Sequence, residues 1–192
     1  MESSTQQILP PVILGPPEEI DAATLAFCAT ISPHAPFYVT VEAQPHAKVA
    51  YCFDNSVQQA QTQGGKAAYG WAIWRWPGRW FEAEHHAVWQ RPDGSMLDVT
   101  PQSGDPRRIL FLPDPEKVFD PERYRRNVMA PDAGNELAAE YIDLVRQRTD
   151  ITDKYWYPGV EILPLFSVED RALLAPIDSR MNALRASMAA PR

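Results

Sequence analysis

The stretch His86-Ala-Val-Trp-Gln-Arg-Pro-Asp-Gly-Ser-Met-Leu-Asp98-Val-Thr-Pro101 decides how this chain is read, because it has the form of a hairpin carrying an imidazole on one strand and a carboxylate on the other. Pro92-Asp93-Gly94 suits a type I turn followed by a glycine in the left-handed region, the usual three-residue hairpin loop. Arg91 then pairs with Ser95, Val88 lies opposite Asp98 and His86 opposite Thr100. In that register His86 and Asp98 share one face as diagonal neighbours, roughly 7–8 Å apart at their backbones, within reach of a His–Asp hydrogen bond. A slip of one residue would present His85 instead, so the choice of His86 rests on the turn type.

Upstream, Ala47 to Gly65 places Val49, Phe53, Val57 and Ala60 at helical spacing before a double-glycine stop, which puts Cys52 in the first turns of a helix. A thiol attacks a carbonyl carbon only as thiolate. A helix N-terminus, a neighbouring imidazole and a carboxylate behind that imidazole together supply one. Cys52, His86 and Asp98 are therefore the candidate catalytic residues. Cys28 has no polar neighbour in sequence and reads as core.

The 192 residues suit one domain with an appendage and are enough to bury a sizeable core. The formal charge of -7 argues against nucleic-acid or anionic-membrane partners. Met1-Glu-Ser-Ser-Thr-Gln-Gln has no secretion-signal pattern and no stretch approaches a membrane span, so a cytoplasmic location is expected. Two cysteines are too few for a disulfide framework, and both are expected as free thiols.

Residues 1–19, with Pro10-Pro11 and Pro16-Pro17, read as an extended arm; 20–192 form the catalytic domain, with a core at about 37–112 and a helical part at about 135–190. A short helix is expected between Glu18 and Ile31, a strand at Phe37–Glu42, and three adjacent antiparallel strands at about 68–76, 79–90 and 96–100. A further short strand is expected at Ile109–Leu112. Helices follow from Asn135 to about Arg148 and from about Val168 to Met188, the second kinked or broken near Pro176. A helix carrying the thiol packed on a sheet carrying His and Asp is an α+β arrangement.

These residues resemble the transglutaminase-like branch of papain-fold thiol enzymes. Cys52-Phe-Asp opening a helix, Tyr69-Gly70-Trp71, His86-Ala-Val-Trp89 and Asp98-Val-Thr-Pro101 carry the resemblance, which covers about residues 47–101. The chain departs from the pattern in having Ala50-Tyr51 where a glycine precedes the cysteine, and in the acidic Glu82-x-Glu84-His85 run. The resemblance implies thiol acyl transfer or hydrolysis at a peptide, protein or small amide substrate, with no metal or organic cofactor. Cys52 attacks, His86 is base and then acid, and Asp98 holds His86. The oxyanion needs the Cys52 N–H and a second donor, for which Gln44 is a candidate. Trp71, Trp74 and Trp89 are candidates to line a substrate groove. Two other readings use the same residues: a catalytically silent binding module of this fold, and a metal-dependent hydrolase using Glu82, Glu84, His85 and His86. Successive strand residues point to opposite faces, which weakens the second.

Overall fold

The computed structural model describes residues 14–123, 125–156 and 165–189. The expected arm lies outside the described residues as far as position 13. Past it, Gly15 forms an antiparallel bridge with Arg75, with N–H···O distances of 3.3 and 2.8 Å.

The longest hairpin sets the frame. β2 (Lys66–Trp76) and β3 (Trp80–Gln90) pair in register from Lys66↔Gln90 to Trp76↔Trp80, around a turn in which Gly78 takes a φ of 68°. β-branched and aromatic residues fill both strands, as a pleated, half-buried surface favours. β1 (Phe37–Val41), β4 (Met96–Asp98) and β5 (Arg108–Pro113) complete a ring in the order β2-β5-β1-β4-β3, closed by the β2–β3 pairing. The expected meander of three strands is present, but it is part of a five-stranded barrel. β1 runs parallel to β4, with Thr40↔Leu97, and antiparallel to β5. A sixth strand, β6 (Val128–Pro131), extends the lower half of β3; the proline punctuation around it hides it in the sequence.

Alternation along the strands sorts side chains into two layers. Val39, Ala72, Trp74, Val88, Ile109 and Phe111, from four strands, meet in one cluster that fills the barrel. The alternate residues Trp71, Ile73, Phe81, Ala83, Leu110 and Leu112 face outward and are covered by Phe27 and Cys28 of α1 (Ala22–Ala29). Gly70 lies opposite His86, and a Cβ there would stand 2.2 Å from Leu112 O and 2.8 Å from Phe111 Cζ. The barrel wall thus needs glycine at this point.

α3 (Glu136–Thr152) and α4 (Val168–Ala189) pack together over Trp80 through Tyr141, Ile142, Leu184 and Met188. α4 runs through Pro176 without a break, so of the expected kink or break the break is absent. Among the described residues no helix is long and apolar enough to cross a membrane.

α2 (Cys52–Gln63) corrects the sequence reading in a way that matters for the site. The predicted apolar stripe is not the buried one: Val49 is 62% exposed and Val57 38%. The buried residues are Cys52, Asn55, Ser56 and Gln59, a polar stripe at helical spacing.

Candidate active site

The hairpin turn comes first. Arg91 N–H donates to Ser95 O at 2.8 Å, Gly94 N–H to Arg91 O at 3.0 Å, and Gly94 sits at φ 88°. The resulting pairs, Trp89↔Leu97 and Gln90↔Met96, are those the turn chemistry predicts. His86 and Asp98 therefore share the inward face, and His86 Nε2 donates to Asp98 Oδ2 at 3.1 Å. Asp98 is fully buried and its carboxylate accepts two more bonds, from Thr100 N–H to Oδ1 at 3.0 Å and from Gln102 Nε2 to Oδ2 at 2.8 Å. Neither Gln102 nor the Thr100 amide was anticipated as a partner; the Thr-x-Gln that follows Asp98 is the signal that marks them.

Cys52 reaches this pair through a gap in the barrel wall. β6 pairs with β3 over Trp80–Ala83 and β4 pairs over Trp89–Gln90, so no strand among the described residues occupies that edge from 84 to 88. α2 covers the gap, and Ser56 Oγ donates to Ala87 O at 3.0 Å. Cys52 is the first residue of α2, preceded by Ala50 at a left-handed φ of 66° and by Tyr51, which offers no side-chain cap. A non-glycine residue in that conformation is strained, and such strain collects at functional sites. The first-turn N–H groups of α2 have no partner within the helix, and with the helix dipole they favour a negative charge at the sulfur.

The Cys52 side chain neighbours the His86 ring, and both border one groove. Because Nε2 is engaged by Asp98, Nδ1 is the ring nitrogen left for another partner. Burial alone would push the His86 pKa down, but the facing Cys52 charge, then the charge and hydrogen bond of Asp98, more than reverse this and hold it well above 6.5. The imidazole is thereby held toward its protonated form.

A groove of about 340 Å³ opens over Cys52 and His86, lined also by Trp74, Glu84, Thr100 and Gln102. A second cavity of about 610 Å³ lies on the other side of Cys52, with Phe53, His85, Phe119 and Arg125 in its wall. Cys52, Ala50 and Glu84 border both.

The chain has no significant match to any family model, curated protein or solved structure. The geometry alone therefore carries the reading.

The remaining sequence candidates divide. Trp74 lines the groove, with Nε1 donating to Glu84 Oε2 at 3.1 Å. Trp71 faces the outer layer and donates to Asp114 Oδ2 at 3.1 Å, and Trp89 packs near α2 and donates to Gly64 O at 2.8 Å; neither borders the groove. Both rings fill core, which their strand positions dictate. Gln44 lies apart from the groove: its Nε2 donates to Glu42 O at 3.0 Å, and it borders neither cavity. His85 turns away from His86, as alternation requires. Its Nε2 donates to Lys117 O at 2.6 Å, its ring packs on Phe53 and Trp71, and burial holds its pKa down. Glu82 and Glu84 share the face of His86 without joining it in a chelating group. Among the described residues no cluster of three or more His, Cys, Asp or Glu is placed to hold a metal ion.

Proposed function

We propose that this chain is a papain-like, transglutaminase-like thiol enzyme acting on an amide or peptide-like carbonyl. One observation carries the proposal: Cys52 and His86 border the same groove, and the buried Asp98 carboxylate holds the His86 ring from behind. Cys52 attacks the carbonyl as thiolate, and the oxygen that gains charge is met by the Cys52 N–H at the start of α2. His86 Nδ1 then gives its proton to the leaving nitrogen. The thioester passes to water or to an amine, with His86 as base for the incoming group. Asp98 fixes the tautomer and stabilises the imidazolium throughout. None of these steps calls for a metal or an organic cofactor. A peptide, a protein or a small amide is the substrate class, and a reducing cytoplasm, where both thiols stay free, is the compartment in which the chemistry runs.

The test is the rate of Cys52 alkylation by iodoacetamide against pH, followed by mass spectrometry, in the parent and in His86→Ala. The parent reacts well below the ~8.5 at which a free cysteine ionises, and His86→Ala loses that low-pH reactivity. A slow thiol with the same pH dependence in both chains would replace this reading with a binding module on the same fold. Cys28 is the internal control, since burial raises its pKa to about 11 and it stays unlabelled in the native chain.

A further inference from the structure

The buried stripe of α2 is polar. Burying polar groups is costly unless each is hydrogen-bonded, and apolar residues would anchor the helix at least as firmly. What hydrogen bonds add is direction.

Asn55 and Ser56 lie one turn beyond Cys52 and are 3% and 0% exposed. Asn55 Oδ1 accepts from Lys48 N–H at 3.1 Å, while its Nδ2 donates to Lys48 O at 2.8 Å and to Thr100 Oγ1 at 3.1 Å. It therefore ties the loop that delivers Cys52 to the turn that carries Asp98. Thr100 passes the connection on, because its N–H donates to Asp98 Oδ1. Ser56 makes the second tie, to the carbonyl of Ala87 next to His86. The bonds run from His86 to Asp98, from Asp98 to Thr100 and from Thr100 to Asn55, one helical turn from Cys52, which borders the groove beside His86.

We infer that Asn55 and Ser56 are positioning residues which fix the thiol against His86 from two directions, Asn55 acting through Thr100 on the Asp98 side and Ser56 through Ala87 on the His86 side. The inference rests on the thiol–imidazole reading above. Neither residue borders the groove or the second cavity. Their role is to fix the approach of sulfur to Nδ1, on which the proton transfer depends steeply.

Thr100→Val tests the Asn55 arm with the least disturbance, since valine keeps the shape and the Thr100 N–H while removing the hydroxyl. The full chain is alkylated with iodoacetamide from pH 5 to pH 10 as the parent, Thr100→Val, Thr100→Ser, Asn55→Ala and the Asn55→Ala/Thr100→Val double variant. Melting temperature and far-ultraviolet circular dichroism are recorded separately. Thr100→Val and Asn55→Ala are expected to move the half-maximal pH upward by about one unit, a ~3–4-fold loss of rate on the low-pH limb once the greater nucleophilicity of a more basic thiolate is counted. Thr100→Ser keeps the parent midpoint, and the double variant moves no further than either single, as partners in one bond require. A purely structural role would lower the melting temperature and leave the midpoint in place, and a folded Thr100→Val with the parent midpoint overturns the Asn55 arm. If Asn55→Ala does not fold, Thr100→Val decides. Ser56→Ala gives the same readout for the other arm. A parent thiol that already titrates as a free cysteine overturns both the activation reading and the clamp. A low-pH-reactive parent with unmoved variants overturns the clamp alone.

Discussion

Asp98→Asn separates folding from activation, because the carboxylate serves three donors and an amide can serve them only in one way. With the amide oxygen at the Oδ1 position, the Thr100 N–H keeps its acceptor. The NH2 group then faces the Gln102 amide and His86 Nε2. Gln102 answers by rotating to present its own oxygen. His86 can answer only by giving up the Nε2 proton and carrying it on Nδ1, which points at the thiol. The opposite amide orientation would leave the buried Thr100 N–H against NH2, at a cost of about 1–3 kcal/mol, so the first arrangement wins. Stability therefore falls by only about 1 kcal/mol, while the imidazole is locked in the tautomer that cannot accept the thiol proton. At pH 6 a free thiol is ionised to roughly 0.3%, so the thiolate supply drops by up to ~300-fold. A more basic thiolate is a better nucleophile, with a Brønsted coefficient of ~0.4–0.5, which returns about half of that logarithm. The expected result is a ~20–30-fold loss of iodoacetamide alkylation at pH 6, a rate ~10-fold above the parent at pH 9, where the variant's more basic thiol is also ionised, and a melting temperature within about 4 °C of the parent. Acyl transfer, which needs the proton moved twice, falls by ~10⁴. A folded Asp98→Asn that alkylates at the parent rate at pH 6 refutes the tautomer argument.

Two further outcomes are open to direct measurement. Gly70→Ala drives a methyl to 2.2 Å from Leu112 O and 2.8 Å from Phe111 Cζ, where the barrel wall has little room to give, and is expected to cost about 3 kcal/mol and lower the melting temperature by ~6–12 °C; calorimetry showing a loss under 2 °C would mean the wall yields. Asp21 caps α1, accepting from Thr24 Oγ1 and N–H at 2.7 Å each and from Arg75 at 2.7 Å, and these partners hold its carboxyl at about 2. Its folded-state pKa is depressed, so its contribution is present above the ordinary 3.8 and is lost as pH falls toward 2; Asp21→Asn is expected to flatten that limb of an acid-unfolding curve, and an unchanged limb would assign it to other groups.

What the sequence discloses is what is local. The 91–95 turn is written in Pro92-Asp93-Gly94, and the His86–Asp98 register follows from it by counting. The barrel is not local: the β1–β4 pairing joins residues more than fifty positions apart, and nothing in Phe37–Val41 names its partner. Trp71, Trp74 and Trp89 look alike in sequence, and only the closure of the barrel decides that Trp74 faces the groove. Val49 and Val57 mislead because hydrophobic periodicity assumes that the apolar face is the buried one. In α2 the buried face is the polar one at 52, 55, 56 and 59, and a cysteine followed at helical spacing by Asn, Ser and Gln is the sign of it. Gln44 shows the opposite hazard, a residue of the right chemistry just upstream of a helix whose backbone turns it elsewhere.

The position of β1 between β4 and β5 has a consequence for the newly made chain. Cys52, His86 and Asp98 are all translated before Arg108–Pro113, yet the strand that braces Asp98 from behind is itself held by those later residues. Non-local pairings of this kind form late and together. On the proposed reading the cysteine has no fixed imidazole beside it until β5 has emerged and docked, so the order of synthesis would withhold the nucleophile from the half-made polypeptide, and a fast-labelling cysteine would report that the ring of strands has closed.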